Sequence, residues 1–72
     1  MLPIDNCVRA LREQHCGMTQ AELGDKVNLT RQTIAAIEQR RYSPSLETAF
    51  LIARVFGQRL EDVFWFDESA TS

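Results

Sequence analysis

Apolar residues fall at helical intervals through most of the chain. Ile4, Val8 and Leu11, with Cys7 alongside, are three or four apart and place one apolar stripe on a first helix that ends near Gly17. Thr19 followed by Glu22 is a capping box, in which hydroxyl and carboxylate each satisfy an amide that a helix start leaves free. A second helix is therefore expected from about Gln20 to Val27, with Leu23 and Val27 inward and Gly24 letting a neighbour approach closely. Asn28 tolerates the left-handed conformation that ends helices. Thr30 then caps a third helix, about Arg31 to Gln39, with Ile34 and Ile37 inward. Two short helices joined by so tight a turn form an angled pair, because an antiparallel hairpin needs longer helices to bury its seam.

Ser43, Pro44 and Ser45 start a fourth helix, whose inner face is read as Leu46, Ala49, Phe50, Ala53 and Phe56, and Gly57 stops it. A last short helix, about Leu60 to Phe64, precedes a polar tail. The pattern predicts an all-α bundle of five helices, with one domain over residues 1–66 and a frayed tail over 67–72. It leaves open whether Phe64 to Phe66 is helical or extended.

Composition narrows the class. With 72 residues, 44% hydrophobic and 25% charged, the chain has the make-up of a small soluble globule, and no apolar run reaches the length of a membrane span. A core this small supplies only about 3 to 5 kcal/mol, so a partner subunit would help. The net charge of -2 hides a polarity. Four acids and no base follow Leu60, leaving eight bases and six acids in residues 1–59, a net +2. Cys7 and Cys16, if carried on one helix, stand roughly 13.5 Å apart, too far for a disulfide, and with His15 they match no zinc-ligand spacing. No metal or other cofactor is expected. The N-terminus has no basic segment followed by an apolar stretch, so a cytoplasmic address is the expectation.

The chemistry concentrates on the outer face of the third helix. With Ile34 and Ile37 turned inward, Gln32, Ala35, Ala36 and Gln39 face out, with Arg31 at the flank. Arginine can bond guanine O6 and N7, glutamine can bond adenine N6 and N7, and an alanine methyl can touch thymine. The alanines keep the helix slim enough for a major groove about 12 Å wide. Arg40, Arg41 and Tyr42 follow directly as donors for flanking phosphates. The plainer alternative is a solvated helix with a chance arginine pair at its end.

The segments MTQAEL, NLTRQTIAAIEQRRYSPSLETAF, IARVFG and LEDVF together resemble the helix-turn-helix of the phage Cro and repressor family, also called the XRE family. The likeness runs from about Asn6 to Phe64. It implies a five-helix DNA-binding domain, usually a homodimer, whose third helix enters the major groove of a palindromic operator. Carried over by position, Arg31, Gln32 and Ala36 are the base readers. Thr19, Gln20, Thr33, Arg40, Arg41 and Tyr42 occupy or adjoin backbone-contacting positions, and Gln20 also buttresses the recognition helix. For Gln20 the residues agree independently, since a helix N-terminus with free amides attracts phosphate. The resemblance further implies a buried ion pair between Arg12 and Glu38.

The chain departs from that family's pattern in several places. Asn28 stands where glycine is usual in the turn, and Gly24 replaces alanine at a helix cost of about 1 kcal/mol. Arg40 stands where glycine is frequent, which implies a different loop or an added phosphate contact. Ala36 is often longer in relatives, which shifts weight to Arg31, Gln32 and DNA shape. The LREQHCGMTQ segment is one residue longer than the usual form.

Three of the six aromatics are consecutive, Phe64, Trp65 and Phe66, and the fourth helix has a second apolar pair, Leu51 and Val55. One small core hardly buries both sets. With Phe64 inside as the end of the fifth helix, Trp65, Phe66, Leu51 and Val55 are the expected self-complementary dimer patch. The alternative is that these aromatics close the bottom of the monomer core. The only histidine, His15, adjoins no credible nucleophile and there is no phosphate-cradling glycine loop, so an enzyme is not expected. The sequence reads as a sequence-specific, dimeric, double-stranded-DNA-binding regulator, most simply a repressor. A helical protein-interaction module, antitoxin-like or an anti-repressor partner, is the competing class.

Overall fold

The computed structural model describes residues 1–71. Its elements are a strand β1 (Ile4–Asn6), helices α1 (Val8–Gln14), α2 (Gln20–Val27), α3 (Arg31–Glu38), α4 (Leu46–Val55) and α5 (Leu60–Val63), a strand β2 (Phe64–Phe66), and a closing 3-10 turn over Glu68–Thr71. The fold is mostly helical with five helices, as the pattern predicts, and a two-stranded sheet is added to it.

Local chemistry places the helix ends. Thr19 accepts from the Glu22 amide and Glu22 from the Thr19 amide, each at 3.0 Å, so the capping box is complete. Asn28 adopts φ +62 and closes α2 by donating its amide to the Gly24 carbonyl. Thr30 and Ser45 each accept from the third amide of the helix that follows. At Gly24 a Cβ would collide with the Leu29 carbonyl oxygen, and the Leu29 amide donates to the Gly24 carbonyl at 2.8 Å. This close approach lets the turn into α3 take only three residues.

The N-terminus departs from the expected pattern. Ile4 is not on the first helix; it lies in β1, antiparallel to β2 with Ile4 opposite Phe66 and Asn6 opposite Phe64. The Asn6 side chain accepts from the Val8 amide at 3.1 Å and the Cys7 amide donates to the Val63 carbonyl, so the helix begins only at Val8. Cys7 and Cys16 therefore do not share a helix, and both are free thiols. Burial pushes the Cys7 thiol pKa up. Phe64 is buried as expected, but extended in a strand rather than closing α5.

The core comprises Val8, Leu11, Leu23, Val27, Ile34, Ile37, Ala49, Ile52, Ala53, Phe56, Val63 and Phe64. On α4 the inward stripe is Ala49, Ile52, Ala53 and Phe56. Leu46 and Phe50, read from the pattern as inward, are 68% and 48% exposed, whereas Ile52 is fully buried. Either stripe satisfies helical spacing, and packing against α2 and α5 selects the one centred on Ile52. The tail expected to fray carries the 3-10 turn, with the Asp67 carboxylate accepting from the Ser69 amide and hydroxyl; Ser72 lies outside the described residues.

Candidate nucleic-acid interface

The surface of interest is the outer side of α3 and the ends that flank it. Ile34 and Ile37 are buried, and this fixes the rotation of the helix. Arg31, Gln32 and Gln39 are consequently exposed, while Ala35 and Ala36 lie half-buried between them. The side chains of Arg31 and Gln32 have no hydrogen-bond or ion-pair partner among the described residues, so their donors are available to a ligand. At the helix start Thr33 donates its amide to the Thr30 hydroxyl at 3.2 Å, and the two hydroxyls lie 3.0 Å apart.

A buried carboxylate holds this helix in place. Glu38, on the last turn of α3, accepts from Arg12 of α1 at 2.6 and 3.0 Å and from the Gln20 side chain of α2 at 3.1 Å. The Arg12 and Glu38 side chains are only 12% and 6% exposed. Arg12 also donates to the Met18 carbonyl at 2.8 Å, so its guanidinium ties α1 to α3 and to the turn between α1 and α2, while the Glu38 carboxylate brings in α2 through Gln20. Its hydrogen bonds to Glu38 raise the Arg12 pKa further. Gln20 stands at the first position of α2 next to the exposed Thr19, with its amide group turned to Glu38 of α3. The Thr19 amide holds the Glu22 carboxyl below its ordinary pKa.

The residues after α3 divide. Arg41 and Tyr42 are exposed, and Arg41 donates to the Gln39 side chain at 2.9 Å. Arg40, expected to meet a phosphate, has its guanidinium occupied within the chain. It donates to the Leu2 carbonyl at 3.1 and 2.8 Å and pairs with Asp5 at 3.5 Å and Asp67 at 3.1 Å, with its side chain 11% exposed. Nothing in the sequence marks this set, because its partners are 27 to 38 residues away. Asn6 is another residue with no mark in the apolar pattern of the sequence; its side chain donates to the Ile37 carbonyl at 2.9 Å and accepts from the Val8 amide at the start of α1. A polar Asn two residues before a helix start is the signal that could have found it.

Trp65 and Phe66 are exposed and line an apolar groove with Ile4, Leu46, Leu60 and Phe64. Leu51 is also exposed, but lies about 140° around α4 from Leu46, and Val55 packs half-buried against the core. The four residues expected to form one patch thus fall on two parts of the surface. No group of His, Cys, Asp and Glu among the described residues could hold a metal ion, and no helix is long and apolar enough to cross a membrane.

Comparison with known proteins agrees with this geometry. A helix-turn-helix family model matches residues 8–63, from the first residue of α1 to the last of α5. An HTH-type transcriptional regulator of Archaeoglobus fulgidus is 49% identical over 61 residues, covering 85% of this chain and 86% of that protein. One from Bacillus subtilis is 48% identical over 63 residues, covering 88% and 94%. The immunity repressor of Bacillus phage phi105 is 40% identical over 50 residues, which cover 69% of this chain and 34% of the repressor. The family is one of DNA-binding regulators rather than enzymes. With α2 and α3 joined by the Asn28 turn and the match spanning all five helices, the chain belongs to the helix-turn-helix family of XRE-type, DNA-binding transcriptional regulators.

Proposed function

We propose that the chain binds a palindromic operator as a homodimer, laying α3 in the major groove, and represses transcription by occlusion. The observation that carries this reading is the outer face of α3, where Arg31 and Gln32 are exposed and have no partner among the described residues, beside the slim Ala36. In this reading Arg31 and Gln32 take base edges by bidentate hydrogen bonds and Ala36 contacts a thymine methyl. Thr19, Thr33, Arg41 and Tyr42 hold phosphates on either side, and Gln20 supports α3 through Glu38 while standing at an anion-attracting helix start. Arg40 is left out of the phosphate set because its guanidinium is already held by Leu2, Asp5 and Asp67. Trp65 and Phe66 in the apolar groove, or Leu51 with Val55 on another side of α4, are the proposed seam with a second copy.

Selection of bound DNA from a random pool tests the reading. The expected product is a palindrome whose half-sites lie one helical turn apart, roughly 34 to 36 Å. Enrichment of single half-sites would remove the dimer, and no enrichment would remove operator binding. The competing reading, a protein-interaction module, predicts association without the steep loss of affinity with salt that phosphate contacts produce.

A further inference from the structure

The C-terminal end of α3 is fastened to the two-stranded sheet at both backbone and side-chain level. Arg40 adopts φ +60, a left-handed conformation unfavourable for any residue with a Cβ. In it the Arg40 amide donates to the Ile37 carbonyl at 3.1 Å and the Arg41 amide to the Ala36 carbonyl at 2.9 Å. This is the paired closure in which glycine is the usual residue. A backbone held in a sparsely populated region persists where its surroundings over-determine it. Here those surroundings are β1 and the residues that flank the two strands. The Leu2 amide donates to the Arg40 carbonyl, the guanidinium reaches back to the Leu2 carbonyl, and Asp5 in β1 and Asp67 just after β2 share its charge. Asn6 adds the bond from β1 to the Ile37 carbonyl.

We propose that Arg40 is a positioning residue for DNA recognition, clamping the end of α3 to the β1–β2 sheet and so fixing how the reading residues meet the groove. The proposal rests on the DNA-binding reading above. Two carboxylates beside one guanidinium leave the cluster with a formal net negative charge, which opposes a direct phosphate contact. The consequence differs in sign from that of a phosphate-binding arginine. If Arg40 held phosphate, removing Asp5 and Asp67 would free it and improve binding. As a clamp, it loses its anchors with them.

The test uses three proteins and the operator enriched by the wild-type chain. Arg40→Gly keeps the helix closure, since glycine adopts that backbone freely, and deletes the guanidinium's part of the clamp. Asp5→Asn with Asp67→Asn deletes the charged anchors and leaves the arginine. The ratio of operator affinity to unrelated-DNA affinity is measured for each, so that the general effect of altered charge cancels. Both variants are expected to lose about tenfold in that ratio, within the range typical of coupling between sites. Arg40→Gly is expected to leave the salt dependence unchanged and, without DNA, to speed amide exchange at Gln39 to Arg41. Thermal melting of each variant verifies that it remains folded. An Arg40→Gly variant that flattens the salt dependence by one phosphate and loses affinity evenly overturns the clamp, as does a double Asn variant that reads the operator better. A wild-type chain that enriches no sequence overturns the DNA reading itself. One that enriches an operator which Arg40→Gly reads equally well overturns the clamp alone.

Discussion

Arg12 and Glu38 form a two-point ion pair, 2.6 and 3.0 Å between nitrogen and oxygen, although 26 residues separate them in the chain. Glu38 is in the last turn of α3 and Arg12 in the last turn of α1, so the pair sets one against the other. Breaking such a buried pair leaves an uncompensated charge. Glu38→Ala is expected to lower unfolding free energy by about 3 to 5 kcal/mol in urea titration. Arg12→Met with Glu38→Leu should recover much of that loss, because an apolar replacement of a whole pair is often neutral. A double variant no more stable than Glu38→Ala would show that the pair contributes more than its own desolvation.

Gly24→Ala separates intrinsic helix propensity from tertiary contact. Propensity alone favours alanine by about 1 kcal/mol in mid-helix. A Cβ there would collide with the Leu29 carbonyl oxygen in the turn that sets α3 against α2. Backbone cannot step aside as a flexible side chain can, so the variant is expected to lose about 1 to 3 kcal/mol on thermal unfolding.

The residues proposed to read bases and those proposed to hold phosphates should differ in kind. Arg31→Ala or Gln32→Ala is expected to weaken operator binding by about 1 to 3 kcal/mol and relax preference at one base position. Arg41→Ala should weaken binding evenly across sequences and reduce the salt slope by about one unit. Affinity on the selected operator and its single-base variants, at several salt concentrations, distinguishes the two.

Glu22 gives the start of α2 an acid-sensitive support. Its carboxyl is held below its ordinary pKa, first by the Thr19 amide and then by the Thr19 side chain. A depressed folded-state pKa stabilises above the unfolded value, about 4.3, and that contribution disappears as pH falls through the folded value. Glu22→Gln keeps an acceptor for the Thr19 amide without the titration. Its stability is expected to fall less steeply than that of the parent below about pH 4.5, measured by urea midpoints across the acid range.

Sedimentation addresses the proposed seam in two parts. Trp65→Ala removes an exposed aromatic from the groove beside Leu46, and Leu51→Ala removes an exposed residue about 140° around α4. A shift toward monomer with the first and not the second places the seam on the groove. The reverse result places it on the outer side of α4.

What the sequence determined by itself is whatever short-range chemistry decides. Thr19 with Glu22, Asn28, and Thr30 three residues before Thr33 satisfy helix ends within a single turn, so α2 and α3 are legible to within a residue or so. The inward positions Ile34 and Ile37 follow from the period, and with them the outward Arg31 and Gln32. Tertiary structure decided the rest. Ile4 reads as helical by spacing, yet it pairs with Phe66, 62 residues away, where Phe64 to Phe66 supplies a strand edge that no local pattern announces. The rotation of α4 was ambiguous because Leu46 and Phe50 satisfy the same period as Ile52 and Phe56, and only packing against neighbouring helices chose between them. Arg40 is the clearest case. Its sequence neighbours make it look like one of two adjacent phosphate-binding arginines, and only the meeting of the two chain ends at the sheet brings Leu2, Asp5 and Asp67 to its guanidinium. Local propensity acts over a few residues, whereas a side chain's partners depend on which distant segments the core brings together.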